Sequence, residues 1–292
     1  MSKWLASVAL TGALMVPVFV RAEEQAPAVN SGNLSLSGGV DYVTQYYFRG
    51  QLSSPSGVIL QPYGQLNVAA YNDDTFSITP YIGTWNDVQD TSIHNDTPGT
   101  PAGKWWESDV YGGVTWGLPA NFKLDTLYTF YTSPSDAFMT VGEFGVKLAY
   151  DDSAIMKDKV PFTIQPYVAY YVQTFNDSGS DVAQYAEIGL TPTVPLGNTK
   201  LIATFPLACG FSPDGTYFNY DGTNASFGYW SAGAFLSYPL PIGAKWGAWT
   251  ITGGATYVKS DAFSAKFAAY ASDGTTKNND AVVGKVSLTF AY

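Results

Sequence analysis

The chain is short of the groups that most often do chemistry or make crosslinks. Among its 292 residues there is one cysteine, Cys209, and one histidine, His94. A lone cysteine closes no internal disulfide, so an exported chain of this size must be held together another way. No Cys/His metal set and no phosphate-cradling glycine loop can be assembled from it. Charge is sparse as well: 13% of residues are charged, against about 25% in an ordinary soluble domain. Arginine is nearly absent, with only Arg21 and Arg49. That scarcity and a net charge of −10 argue against a nucleic-acid partner. Past the first twenty residues there is no second long apolar run, which excludes a bundle of membrane helices.

What is plentiful is aromatic residues, at 16% of the chain, together with 29 glycines. Lys3 precedes an apolar run from Trp4 to Val20 and then Arg21-Ala22, the pattern of a secretory signal cleaved after Ala22. Removing Lys3 and Arg21 takes the net charge to −12. The expected organisation is a signal peptide over 1–22, a short periplasmic segment over 23–32, and one domain over 33–292.

That domain alternates. In the last thirteen residues Val282, Val286, Leu288, Phe290 and Tyr292 share one face, while Lys285, Ser287 and Thr289 share the other. The same period of two recurs near 33–49, 58–71, 75–86, 106–118, 122–132, 138–150, 161–175, 182–194, 199–211, 225–238, 244–258 and 280–292. Most of these segments reach the ~9–11 residues that a tilted strand needs to cross a bilayer. The pattern predicts an all-β fold: a transmembrane antiparallel β-barrel of about twelve strands in the bacterial outer membrane. Closing such a barrel gives the final strand a partner instead of a bare edge.

The connections agree. With both ends of the barrel domain in the periplasm, the odd connections lie outside, and these include 87–105 and 259–279. The even ones include Asn72-Asp73-Asp74 and Pro119-Ala120-Asn121, with 151–160 as a longer exception. Aromatic residues near strand ends fit an interfacial girdle. Pro62, Pro80, Pro166, Pro192 and Pro206 fall inside these strands, and bulges that bend the wall would accommodate them. A soluble two-sheet sandwich with several edge strands is the rival architecture.

Lipid on the outside sorts charge to the inside, because Lys or Arg at the bilayer midplane costs about 2–4 kcal/mol. In most strands the odd positions would face the lumen. The phase reverses where Leu201, Phe205, Leu207, Trp249 and Ile251 carry the apolar face. The expected pore-lining set is Asp41, Gln45, Arg49, Gln61, Tyr63, Gln65, Asp109, Lys123, Asp125, Glu143, Lys147, Gln165, Glu187 and Lys285. Tyr81, Tyr111, Tyr131, Tyr167, Tyr171, Gln173 and Tyr185 share its phase. Twelve strands give a backbone cylinder roughly 24 Å across, and inward side chains leave room for ions or small polar solutes. The expected function is a porin-like channel for passive diffusion of such solutes. The alternatives are a non-conducting structural or ligand-binding barrel, or the secreted sandwich. His94, with Asp87, Asp90 and Asp96, matches no catalytic or metal-ligand spacing, so neither an enzyme nor a cofactor is expected. Oligomeric state is open.

Two stretches resemble known patterns. Val43-Thr44-Gln45-Tyr46-Tyr47-Phe48-Arg49-Gly50 is similar to the Val-Ser-Asp-Tyr-x-Phe-Arg-Gly signature of the TorF-type porins, with Gln45 where that family has aspartate. The resemblance implies an outer-membrane porin. The C-terminus resembles the signal read by the barrel-assembly machinery, with Lys285, Phe290 and Tyr292 in its polar and aromatic places and Ser287 where glycine is usual. It implies outer-membrane lipid and that machinery as partners.

Overall fold

The structure is a computed structural model that describes residues 32–90, 105–153, 162–177, 182–220, 223–260 and 279–292. The expected signal segment and His94 lie outside these residues. Twelve antiparallel wall strands follow one another around a ring. They are β1 (Leu34–Val43), β2 (Ile59–Val68, extended by Tyr71–Asn72), β3 (Ser77–Gln89), β4 (Trp105–Gly117), β5 (Phe122–Thr132) and β6 (Val141–Tyr150). The second half comprises β7 (Tyr167–Asn176), β8 (Gln184–Leu190 and Thr193–Pro195), β9 (Ile202–Thr204 and Leu207–Phe211), β10 (Phe227–Pro239), β11 (Ala248–Ser260) and β12 (Asp280–Ala291). Each pairs with its sequence neighbours, and β1 also pairs with β12, Val40 opposite Leu288. At the seam the Leu36 and Tyr292 amides donate to each other's carbonyls at 2.8 and 2.7 Å. The ring is closed, which rules out the sandwich.

Alternation decides which side of the wall each residue occupies. Val40, Tyr42, Leu60, Leu66, Ile82, Val110, Phe130, Phe144, Val168, Ile188, Val282 and Val286 are exposed on the outer face. The phase reverses on β9 and β11, where Phe205, Leu207 and Ile251 point outward. The ladder runs unbroken from strand to strand around the ring and the outside is apolar, as a hydrocarbon solvent requires. A closed antiparallel barrel of even strand number with this exterior is an outer-membrane barrel.

The prolines behave differently from expectation. At Pro192 and Pro206 the strands break, yet register is unchanged on either side: Ile188 opposite Cys209 continues as Thr193 opposite Thr204. Pro62 likewise leaves a gap between Leu60–Val88 and Tyr63–Trp85 without a slip. Proline donates nothing to the ladder, and here the wall skips a rung without kinking. Opposite Pro80 there is a true bulge, since Asn67 pairs Tyr81 but Tyr71 pairs Ile78. Pro166 precedes β7, which begins at Tyr167 rather than at 161.

The largest departure lies after β1. The alternation read as one strand over 33–49 leaves the wall at Val43. The chain then forms a two-stranded hairpin, Tyr46–Phe48 against Gln51–Ser54, turning through Arg49 (φ 44°) and Gly50 (φ 77°).

Candidate functional site: a plugged lumen

The hairpin's contacts fix its position. Tyr46 touches Trp85 on β3 and donates to Glu107 on β4. Phe48 packs on Tyr131 of β5, and Arg49 bonds Glu143 of β6. Ser54 donates to Gln89 on β3, and Ser260 on β11 donates to the Gly50 carbonyl. A side chain on Gly50 would collide with the Tyr229 ring on β10. A nine-residue segment can reach partners around most of the circumference only from inside. It fills the end of the lumen away from the seam's Leu36–Tyr292 bonds, the extracellular end by the loop rule.

Arg49 is the hairpin's anchor. Nη1 donates to Glu143 Oε2 at 2.9 Å and Nη2 to Oε1 at 2.6 Å, the two-pronged geometry that suits a planar guanidinium. Tyr131 donates to the same carboxylate at 3.0 Å. The guanidinium carbon lies 4.4 Å from the centre of the Tyr171 ring and 4.1 Å from that of Tyr185, with Phe48 and Tyr217 also in range. Aromatic faces stabilise the cation after it has lost water.

Beside this cage lies an acidic group. Asp87 on β3 is directly opposite Glu107 on β4, and Asp109 is two residues further along the same face. All three are at most 1% exposed. Gln61 donates to Asp87 Oδ2 at 2.9 Å and Tyr46 to Glu107 Oε2 at 2.9 Å. Among the described residues Asp87 Oδ1, Glu107 Oε1 and both oxygens of Asp109 have no hydrogen-bond donor.

From the hairpin toward the periplasm the lumen changes in character. Tyr81 and Thr115 donate to Asp125. Tyr167, Tyr185 and Tyr229 donate to Glu187. The Lys147 ammonium sits 4.0 Å from the centre of the Tyr167 ring. Asp125, Lys147, Tyr167 and Glu187 are only half-buried, so water reaches them. The tyrosines follow a rule. Tyr63, Tyr81, Tyr111, Tyr167, Tyr171 and Tyr229 each stand directly opposite a glycine on the next strand: Gly39, Gly113, Gly83, Gly189, Gly145 and Gly210. A Cβ at Gly83 would lie 2.5 Å from the Tyr111 ring, and one at Gly189 2.5 Å from that of Tyr167. These rings therefore lie over the bare backbone of the glycines that face them.

Of the remaining residues singled out from sequence, Asp41 pairs with Lys285 at 3.3 Å, and Gln65 donates to Asn67. Lys123 bonds Asp151 at the periplasmic rim. Gln45 is on the hairpin's approach, where it donates to the Pro55 carbonyl at 3.1 Å. Gln165 is off the wall strand, with φ 49° and its amide bonded to Asp152. Sequence reading missed Trp85, Glu107 and Gln89, which receive the hairpin, and Ser54 on the hairpin itself. Among the described residues no three Asp, Glu, His or Cys side chains form a metal-holding group, and Cys209 is half-buried in lipid phase beside Trp230.

No protein-family model matches the chain, and no curated protein does. Solved structures do. The chain is similar to an outer-membrane channel from Pseudomonas putida F1, with 9% identity over 90% of this chain and 97% of that one, TM-score 0.50. It is also similar to the KdgM porin (8%, 88% and 99%, TM-score 0.40) and to the translocator domain of the autotransporter NalP from Neisseria meningitidis (11%, 89% and 89%, TM-score 0.43). At such identities the likeness is one of fold, an outer-membrane barrel.

Proposed function

We propose that this barrel is a porin-like channel for ions and small polar solutes, stoppered in its outer half by its own Tyr46–Ser54 hairpin. The observation that carries the reading is the contrast between the two halves of the lumen. The hairpin end is filled and buried, whereas below it Asp125, Lys147 and Glu187 stay partly open to water and Tyr63, Tyr81 and Tyr167 lie over the glycines that face them. A structural barrel has no need of water-reached charged groups below a separate stopper. Asp41, Gln61, Tyr63, Gln65, Asp125, Lys147, Glu187 and Lys285 line the path in this reading, with Asp109 and Glu143 beneath the stopper. Acids outnumber bases along it, which favours cations. The resemblance to TorF-type porins falls on the stopper and its approach rather than on the wall. Export by the 1–22 segment, and assembly through Lys285, Phe290 and Tyr292, belong to the same proposal.

Planar-bilayer recordings test it. Protein whose residues 46–54 are replaced by a short Gly/Ser link should conduct with cation preference, and K147E should push the reversal potential further toward cations. A shortened barrel that inserts and still passes no current defeats the channel reading and leaves the non-conducting barrel.

A further inference from the structure

Among the described residues the Asp87–Glu107–Asp109 group has no counter-charge. Three ionised carboxylates taken out of water with no cation would repel one another and lose hydration worth several kcal/mol each. Among the described residues the nearby cations are committed elsewhere: Arg49 to Glu143 and Lys285 to Asp41. The groups facing the three are Tyr46 from the hairpin, Gln61 from β2, Gln89 from β3 and Tyr131 from β5, and none of these brings positive charge. Glu143 on β6 and Asp41 on β1 add negative charge, each balanced by its own cation. Glu107 and Asp109 stand two apart on one face of β4 with Asp87 opposite Glu107, so ionising all three would bring three like charges together out of water. The hairpin itself helps to exclude water, since Tyr46 and Ser54 cover the group and its neighbour Gln89.

We propose that these three carboxyls form a proton-operated latch: the hairpin seats over them while they hold protons, and their ionisation lifts it out of the lumen. The inference rests on the reading of the hairpin as a stopper. The sign follows from linkage. The seated state binds more protons than the open state, so seating is favoured in acid and lost as pH rises, by about tenfold per pH unit for each proton released.

The test uses full-length mature protein in planar bilayers between pH 5 and pH 9. Native protein should pass from rare to frequent opening as pH rises. D87N/E107Q/D109N, which carries no charge to release, should stay closed throughout. E107Q alone keeps an acceptor for Tyr46 and should blunt the step, which guards against misfolding of the triple variant. The shortened-hairpin protein should conduct at every pH. If it conducts while native openings are indifferent to pH, the latch is wrong and the stopper stands. If it conducts no better than native protein, the stopper itself is wrong. Closure that follows added calcium at fixed pH, without a pH step, overturns the latch in favour of a metal ion.

Discussion

Arg49 and Glu143, 94 residues apart in sequence, join the tip of a hairpin rooted on β1 to β6 across the bore. Removing one member of a buried pair typically costs about 3–5 kcal/mol, because the other is left charged and dry. That cost falls on hairpin seating and not on the wall ladder. R49A and E143A should each raise conductance while the heat-modifiable folded band stays in place on gels. The double variant should cost less than the sum of the two. R49K, with a point charge in place of a planar fork, should fall between.

The glycines opposite the tyrosines should be intolerant of added volume. Gly83→Val forces the Tyr111 ring off the wall, and overpacking of this kind costs about 1–3 kcal/mol. Urea unfolding in detergent should show the loss. Gly253→Val is the control, because a Cβ there meets nothing within 4 Å. Equal effects at the two positions would refute the packing argument.

Deleting Phe290 to Tyr292 removes the mutual Leu36–Tyr292 bonds at the seam and the Trp249–Phe290 ring contact between β11 and β12. The truncated chain should fail to reach the membrane as a folded band. Tyr292→Leu separates two causes, since it keeps the backbone bonds and removes only the aromatic ring. Normal assembly of Tyr292→Leu would assign the effect to the seam rather than to an aromatic assembly signal.

At the periplasmic β2–β3 turn, Asp73 accepts from the Tyr71 hydroxyl and the Thr75 and Phe76 amides. The Tyr71 bond first, then the two amides, lower its carboxyl to about 2. A folded value below the unfolded one means the turn keeps this support at neutral and mildly acid pH and loses it as pH falls through about 2. A carbon-detected NMR titration of Asp73 should show that midpoint, and Tyr71→Phe should move it up. A midpoint near 4 in the native protein would remove the turn from this account.

Much of the wall was legible because lipid outside and water inside impose a strict period of two, and even the reversals on β9 and β11 show in Phe205 and Ile251. The hairpin was hidden by the same rule. Gln45, Tyr47 and Arg49 continue the odd phase of β1, so a strand that leaves the wall looks like one that stays. Length was the available signal. Seventeen residues over 33–49 exceed what a tilted crossing needs, and Arg49-Gly50 supplies a turn. The latch residues were partly visible: Asp109 shares the lumen phase with Glu107, but the nearness of both to Asp87 depends on register across β3 and β4. Proline was misjudged because a skipped rung and a bulge look identical in sequence.

Alternation cannot tell a correct strand pairing from one displaced by two residues, for both keep the same faces in and out. The six tyrosine–glycine couples can. Slide any of those pairs by two and a phenol ring loses the bare backbone it lies on, so it must rear into the bore or strike a neighbouring side chain. The couples thus work as a vernier written into the wall. They count the stagger between strands one pair at a time, and the summed stagger sets how wide the closed cylinder can be.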